Sequence, residues 1–340
     1  MTMLSPIAAI CLWLASAVIA DVLADESAPS LALPVDCTLG DTCHVQFHVD
    51  LAPGPEIVDH ACRRLTYDGH KGTDIRLPDY PAMRGGVAVL AAADGEVRAI
   101  CEGEPDISVD GRGTENLQGK DAGNAVVIAH DNGWETQYSH LMLGSVAVKP
   151  GDKVKTGQIL GTIGLSGRSN FPHLDFGVRL NGAVVDPFLG ADTNVSCGHP
   201  GTPLWNEAAL TALPYRPGGV LLAGFAAVEP NKAEVREGAA RTLAFDADAP
   251  LLVFYADVFG ILAGDTEELR IIAPDGSVFA EHRKALERDY QQRFEYYGRK
   301  RPAEGWRLGT YRGEYRLTRT VAGVTQVIAS ARRDAVISGR

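Results

Sequence analysis

The chain has 340 residues, more than one typical domain, and its 45% hydrophobic and 22% charged residues are typical of a globular protein. Its formal net charge of −11 and the lack of a long run of Lys and Arg argue against nucleic-acid binding, since neutralising phosphates requires clustered positive charge. We therefore expect two domains and no nucleic-acid partner.

The N-terminus carries the pattern of a secretory signal. Residues 5–20 are apolar and end in small residues, and the acidic residues Asp21, Asp25 and Glu26 follow, although no Lys or Arg occurs before Arg63. The apolar stretch is shorter than the roughly 20 residues that span a bilayer. We therefore predict a signal peptide at residues 1–24, no stable membrane span after its cleavage, and a periplasmic or extracellular location.

Cysteine usage fits an oxidising compartment. Without the signal peptide, five of the six cysteines remain: Cys37, Cys43, Cys62, Cys101 and Cys197. Because the number is odd, at least one thiol is free or pairs between chains. Cys37 and Cys43 flank a Gly-Asp turn, so we predict this disulfide in an N-terminal extension at residues 25–64. The pairing of the other three cysteines stays open.

The remaining chain reads as strands separated by turns. Short strand-like runs with Gly, Asp and Asn turns fill residues 87–188, without a helical period, which indicates mostly antiparallel β-structure. Regularly spaced strand-like runs recur in the C-terminal part, where residues 284–300 fit either a helix or a charged hairpin. We predict an all-β protein, with a compact antiparallel domain at residues 65–195 and an immunoglobulin-like β-sandwich accessory domain at residues 215–340.

Histidines and aspartates stand where several predicted strands begin or end. His173 and Asp175 are two apart in the run FPHLDFGV and would share one face of a strand. His70 and Asp74 surround Gly72 in a loop that enters a strand, and His140 ends another strand-like run. The loop residues Arg168, Ser169 and Asn170, just before FPHLDFGV, could line a substrate groove or simply be solvated.

Together these motifs resemble the lysostaphin/LytM-like zinc metallopeptidases of family M23. The resemblance covers roughly residues 65–188: His70-x-x-x-Asp74, the runs GNAVVIAHDNGWETQYSHL and VKPGDKVKTGQILGTIGLSGRS, and PHLDFGV followed by VVDP. It implies that His70 and Asp74 are zinc ligands and that His140 and His173 are the catalytic histidines. The family's third ligand is a second histidine two residues after the position of His173, and this chain has Asp175 there.

The aspartate changes what we expect of the metal. Carboxylate oxygen binds zinc at about 2.0–2.2 Å, close to the distance of about 2.0–2.1 Å for imidazole nitrogen, but an Asp side chain is shorter than His. A second negative charge among the ligands makes a bound water less acidic and favours harder ions. We therefore expect His70, Asp74 and Asp175 to hold one zinc ion per chain, weakly.

The resemblance implies a secreted metalloendopeptidase that cleaves peptide cross-links of bacterial peptidoglycan. The altered ligand leaves a second hypothesis open, a catalytically degenerate LytM-like scaffold that binds cell wall or activates a separate wall hydrolase. A wall hydrolase or an envelope protein is therefore a further partner to expect besides the peptidoglycan peptide. A carrier domain is a third hypothesis, because the pattern V-x-P-G-D-x-V-x-x-G-Q also occurs in biotinyl and lipoyl modules. It is disfavoured because the chain lacks a Lys at a hairpin tip flanked by Met or Asp.

Overall fold

The structure is a computed structural model that describes residues 28–339 apart from residues 116, 118, 193–196, 199–200 and 239–242. The predicted signal peptide at residues 1–24 lies outside the described residues. Within the described part, no helix has the length and apolar character needed to cross a membrane.

An antiparallel sheet of eight strands forms the centre of the first unit. The strands before residue 190 are, in chain order, β1 (His44–Phe47), β2 (Thr73–Arg76), β3 (Ala88–Leu90), β4 (Gly95–Cys101), β5 (Asn124–Ala129), β6 (Trp134–Leu141), β7 (Lys153–Val154), β8 (Ile159–Thr162), β9 (His173–Leu180) and β10 (Ala183–Val185). The sheet has the order β1-β2-β9-β6-β5-β4-β7, β10 pairs with β9, and β3 and β8 form a separate pair. This order puts β2, β6 and β9 side by side.

Strand β6 shows why these residues form a sheet. Trp134, Thr136 and Tyr138 alternate along it and are buried on one face. The turn from β5 needs positive φ at Asn132 (58°) and Gly133 (81°), and these two residue types tolerate that conformation. Burying a large apolar side chain stabilises the fold by about 1.5–3 kcal/mol, so the face that carries Tyr138 fixes the register of β6.

The N-terminal extension is part of this unit. Its strand β1 forms the edge of the main sheet beside β2. The predicted Cys37–Cys43 disulfide is present, and a second disulfide joins Cys62 to Cys197, the pairing that the sequence left open. Cys101 is exposed and is the free cysteine of the described residues. The odd thiol expected from the sequence is therefore Cys101.

Short helices connect the strands. They are α1 (Tyr80–Arg84), α2 (Val109–Arg112), α3 (Glu207–Ala212), α4 (Lys232–Arg236) and a 3₁₀ turn at Asp131–Gly133. Each α-helix begins with a side-chain cap from Asp79, Ser108, Asn206 or Asn231. The predicted all-β class is confirmed.

The second unit consists of two further sheets around one apolar core. Its strands are β11 (Gly219–Ala226), β12 (Ala244–Asp246), β13 (Leu251–Ile261), β14 (Thr266–Ile272), β15 (Val278–Ala285), β16 (Tyr290–Lys300), β17 (Gly309–Val321) and β18 (Val324–Ser338). One sheet has the order β11-β13-β16 and the other β12-β18-β17-β14-β15. Buried residues from both sheets, including Phe254, Leu269 and Tyr315, form a single cluster. The immunoglobulin-like topology stays a prediction.

Residues 284–300 form neither the helix nor the hairpin that the sequence left open. They include the end of β15, a turn and β16, and these two strands belong to different sheets. The segment therefore carries the chain from one sheet of the second unit to the other.

A buried polar network joins the two units beside β2. The Arg76 side chain, 1% exposed, donates to Gln46 Oε1 (2.8 Å) and to Gln292 Oε1 (3.1 Å) at the start of β16. Gln292 Nε2 donates in turn to Asp257 Oδ2 (2.7 Å). The guanidinium of Arg76 also lies 4.1 Å from the ring centre of Phe171, a cation–π contact. The second unit is thus tied directly to the strands that carry His173 and Asp74.

Candidate functional site

Three neighbouring strands bring the candidate residues together. Asp74 on β2 lies opposite Asp175 on β9, and Asp175 in turn lies opposite Ser139 on β6. His173 stands two residues before Asp175 on β9, so both side chains lie on the same face. His140 follows Ser139 and approaches from β6.

His70, Asp74 and Asp175 form the cluster of described residues suited to a cation. Their potential ligand atoms lie within 4.8 Å of one another. His70 Nε2 is 3.1 Å from Asp74 Oδ1 and 4.0 Å from Asp175 Oδ1. Ligands about 2.1 Å from a tetrahedral metal lie about 3.4 Å apart, so the spacing fits one ion, with the Asp175 carboxylate the most distant donor.

The orientation of His70 suits a metal ligand. Its Nδ1 donates to the backbone carbonyl of His48 (2.8 Å), because a carbonyl oxygen can only accept. Nε2 is then the nitrogen that faces the two carboxylates. A backbone carbonyl behind a ligating histidine is a common way to fix the tautomer and the ring orientation.

The Asp175 carboxylate is also suited to bind a cation. Its Oδ1 is buried and has no hydrogen-bond partner, although the side chain as a whole is 30% exposed. A Cβ added at Gly72 would overlap this oxygen, so only glycine leaves room for the carboxylate at that position. A buried, unpaired carboxylate oxygen is costly unless a cation or proton compensates it. The residues therefore fit a divalent metal ion.

Two further histidines line the site without belonging to this cluster. His173 Nδ1 donates to Phe171 O (2.9 Å), and His140 Nδ1 donates to Ser166 O (2.7 Å). Both side chains are buried, and their ring centres are 4.6 Å apart. In the neutral imidazoles the unprotonated nitrogen is therefore Nε2, and that of His173 lies 3.6 Å from Asp74 Oδ1.

Backbone strain marks the position of His140. Its φ is 65°, in the left-handed region that non-glycine residues seldom occupy, and the β5–β6 register shifts between Asn124 and Val126 beside it. Such conformations cost about 1–3 kcal/mol and persist where the surroundings enforce them. Here the His140 N–H donates to Ala122 O (2.8 Å), and the side chain is held by Ser166.

Burial and neighbouring charges shift the pKa values of the side chains in the candidate site. Burial opposes protonation of His70, but the Asp74 carboxylate beside it raises its pKa to about 9. Burial would raise the pKa of Asp74, but His70 and His173 hold it below its usual value. Burial, and then Asp74, raise the pKa of Asp175, whereas burial lowers that of His173 to about 4. The cluster therefore concentrates negative charge that a proton on His70 compensates.

A cavity of about 290 Å³ opens beside the candidate site, and its lining does not include His70 or Asp175. Asp74, His140 and His173 line it, and so do the loop residues Arg168, Ser169 and Asn170, for which the sequence left a groove or a solvated loop open.

The sequence analysis missed several residues of this cavity, among them Tyr67, Gln291 and Gln292. Tyr67 stacks on the His70 ring with 4.3 Å between ring centres. The sequence signal that could have identified it is its position three residues before His70. Gln291 and Gln292 reach the cavity from β16 of the second unit, and no local pattern connects them with the site.

Comparison with known proteins identifies the part of the chain that carries the site. Residues 68–187 match the model of peptidase family M23, so the predicted resemblance is confirmed. The DD-carboxypeptidase/endopeptidase Mpg of Neisseria meningitidis serogroup B is 46% identical over 65 residues, 19% of this chain and 14% of that protein. Peptidoglycan DD-endopeptidase ShyC of Vibrio cholerae is 33% identical over 118 residues, 35% of this chain and 22% of that protein.

Among solved structures, a mutant catalytic domain of the prophage-encoded M23 protein EnpA from Enterococcus faecalis is similar. The alignment has 24% identity and a TM-score of 0.31, and it covers 48% of this chain and 95% of that one. The matched region amounts to less than a quarter of the length of either curated relative described above.

Proposed function

We propose, from the match of residues 68–187 to the model of peptidase family M23, that the protein is an exported metalloendopeptidase that cleaves peptide cross-links of bacterial peptidoglycan. The observation that carries the proposal is the convergence of His70, Asp74 and Asp175 within 4.8 Å beside two buried histidines. The names of the relatives, a DD-endopeptidase and a DD-carboxypeptidase/endopeptidase, support the peptide bond as the target.

His70, Asp74 and Asp175 would hold one zinc ion. When bound, the ion supplies Lewis acidity that polarises a carbonyl and lowers the pKa of water. The buried Asp175 Oδ1 without a partner and the outward-facing Nε2 of His70 support this ligand set.

His140 and His173 would handle the protons. With Nδ1 engaged by a backbone carbonyl, each neutral ring has an acceptor at Nε2 that can take a proton from the attacking water. Once protonated, the same nitrogen can donate to the tetrahedral oxygen or return the proton to the leaving amine. Burial keeps the pKa of His173 low, which supports a neutral base at physiological pH.

The domain organisation belongs to the same proposal. A signal peptide at residues 1–24 would export the chain to the periplasm or beyond, and residues 25–64 would form an extension of the peptidase domain at residues 65–195. Residues 215–340 would form an accessory sandwich. The peptidoglycan peptide is the expected partner.

One observation favours a second function. Asp175 Oδ1 is 0.9 Å further from His70 Nε2 than Asp74 Oδ1 is (4.0 Å against 3.1 Å), so the metal site would be loose. A scaffold that binds the wall and activates another hydrolase would tolerate this. The two buried histidines argue against the scaffold hypothesis, because a scaffold has no need for side chains at the cavity whose tautomers are fixed.

Digestion of purified cell wall tests the proposal. The full mature chain, supplied with one equivalent of Zn²⁺, should release wall peptides, and a chelator should stop the release. We expect His140→Ala to reduce the rate by about 100-fold or more, the usual contribution of a general acid or base. His282→Ala, in the second unit, is the matched control and should keep the rate. Wall binding without peptide release would favour the scaffold instead.

A further inference from the structure

A second cavity adjoins the candidate site. It has a volume of about 370 Å³, and Phe47 and Gln291 line both this cavity and the cavity of the site. The two cavities are therefore neighbours across these two side chains. Cavities at domain junctions are frequent ligand sites, and this one lies between the N-terminal extension and the second unit.

The wall that the extension contributes is rigid. Asp59, fully buried, accepts hydrogen bonds from the backbone N–H of Ala61, Arg63 and Leu65 (2.9, 2.9 and 3.1 Å). Its Oδ2 also accepts from Tyr215 OH (2.8 Å). The Cys62–Cys197 disulfide also holds this loop, because Cys62 lies within it. The cavity wall is thus preorganised before any ligand arrives.

The lining of the second cavity is apolar with a basic rim. Ile57, Leu65 and Ile261 contribute apolar surface. Arg319 also lines the cavity, but its guanidinium makes two 2.8 Å bonds to the carboxylate of Asp265, which neutralises it. Its charge is therefore not available to a ligand.

Arg63 is the available cation at the rim. It is exposed, whereas the neighbouring Arg64 lies 3.4 Å from Asp289. No ion pair of Arg63 is found among the described residues, although the protein as a whole carries a net charge of −11. An unpaired arginine beside an apolar cavity suits a ligand that combines small apolar groups with a carboxylate.

We infer that this second cavity binds the arm of the cross-linked peptide remote from the scissile bond, an apolar peptide segment with a free carboxylate that pairs with Arg63. The inference rests on the proposed function, because the candidate site next to it must then hold the bond that is cleaved. Binding energy from a remote arm can be used to orient the reacting bond.

The test uses two synthetic cross-linked peptide dimers, one with free carboxylates and one with the same carboxylates amidated. For the wild-type full chain with zinc, kcat/KM should be higher for the carboxylate dimer. Arg63→Gln should lower this preference about fivefold. This factor is equivalent to about 1 kcal/mol, the upper end of the free energy that an exposed ion pair contributes. Arg299→Gln, an equal change of charge at the far end of β16, should leave the preference intact.

Binding without turnover separates this inference from the proposed function. The His140→Ala protein is titrated calorimetrically with both dimers, and the carboxylate dimer should bind more tightly, with the difference reduced by the additional change Arg63→Gln. Equal kcat/KM for both dimers would overturn the cavity assignment while leaving the peptidase intact. Selective binding of the carboxylate dimer with no cleavage by the wild type would overturn the proposed function and support the cavity.

Discussion

At the scale of single residues, Asp175 is the candidate ligand on which we expect metal affinity to depend most. It comes from the same strand as His173, but its Oδ1 stays 4.0 Å from His70 Nε2. An imidazole at this position would reach further from β9 than a carboxylate does and would bring one negative charge fewer.

We therefore predict that Asp175→His binds zinc more tightly than the wild type, by at least about tenfold, the lower end of what changes in ligand surroundings produce. Competition with a chromogenic chelator at fixed pH measures the affinity. Asp131→His adds a histidine in the exposed turn before β6 and is the matched control. An unchanged affinity in Asp175→His would mean that residue 175 is not a ligand.

A second buried carboxylate, that of Asp186, lies away from the site. Its Oδ1 accepts from the Phe188 N–H (2.7 Å), but its Oδ2 has no hydrogen-bond partner and lies 4.0 Å from His60 Nδ1. Burial raises the pKa of Asp186 to about 7, from 3.8. Between these two pH values the folded protein keeps a proton that the unfolded chain has lost. This residue therefore makes stability fall as the pH rises from about 4 to 7.

Asp186→Asn should remove that loss of stability. The amide keeps the acceptor for the Phe188 N–H and cannot ionise. The difference in the free energy of unfolding between the variant and the wild type should therefore be roughly 2–4 kcal/mol more favourable to the variant at pH 8 than at pH 5. Urea unfolding at both pH values measures the difference. The exposed change Asp131→Asn should show no such gain. If the free energy of unfolding of Asp186→Asn fell between pH 5 and pH 8 as much as that of the wild type, Asp186 would have to be ionised in the folded protein.

At the scale of elements, β16 has two roles. Most of the strand pairs with β13 in the second unit, but its first residues reach the candidate site, where Gln292 accepts from Arg76 (3.1 Å) and Arg236 (3.0 Å). It also donates to the fully buried Asp257 (2.7 Å). One neutral side chain thus forms hydrogen bonds with two cations and one anion.

Gln292→Leu should destabilise the protein by about 2–4 kcal/mol, because it leaves buried charged groups without their partner. Chemical unfolding followed by tryptophan fluorescence measures the change. The neighbouring Gln291 is exposed and donates a 3.4 Å hydrogen bond to Thr66 O, so Gln291→Leu should change stability by less than about 0.5 kcal/mol. Equal effects of the two changes would refute a structural role for the Gln292 network.

Some secondary-structure elements could be predicted from the sequence and others could not. Strand β9 was predictable because His173 and Asp175 alternate with apolar residues, and the turn before β6 because Asn132 and Gly133 suit positive φ. Strand β16 was not, since a charged, aromatic-rich run such as residues 284–300 fits a helix or a strand equally well. Only pairing with β13, which lies distant in sequence, decides the outcome.

At the scale of the whole molecule, the all-β class and the grouping of His70, Asp74, His140, His173 and Asp175 could be predicted from local motifs. The contact between the units could not. Arg76 and Gln292 are 216 positions apart, and neither belongs to a recognisable motif. The Cys62–Cys197 disulfide, with a separation of 135 residues, was equally undetermined, because spacing does not define pairing among three remaining cysteines.

The shared walls of the two cavities mean that residues 65–195 do not contain the whole of either cavity. A fragment cut at residues 65 and 195 would lack β1, both cysteines of the Cys62–Cys197 cross-link, and Gln291 and Gln292. Grafted onto another protein, it would carry the candidate ligands without these cavity walls. If the two cavities bind peptide as proposed, selectivity among peptides depends on the junction between the units, and shortening the chain from either end should reduce selectivity before it removes the candidate ligands.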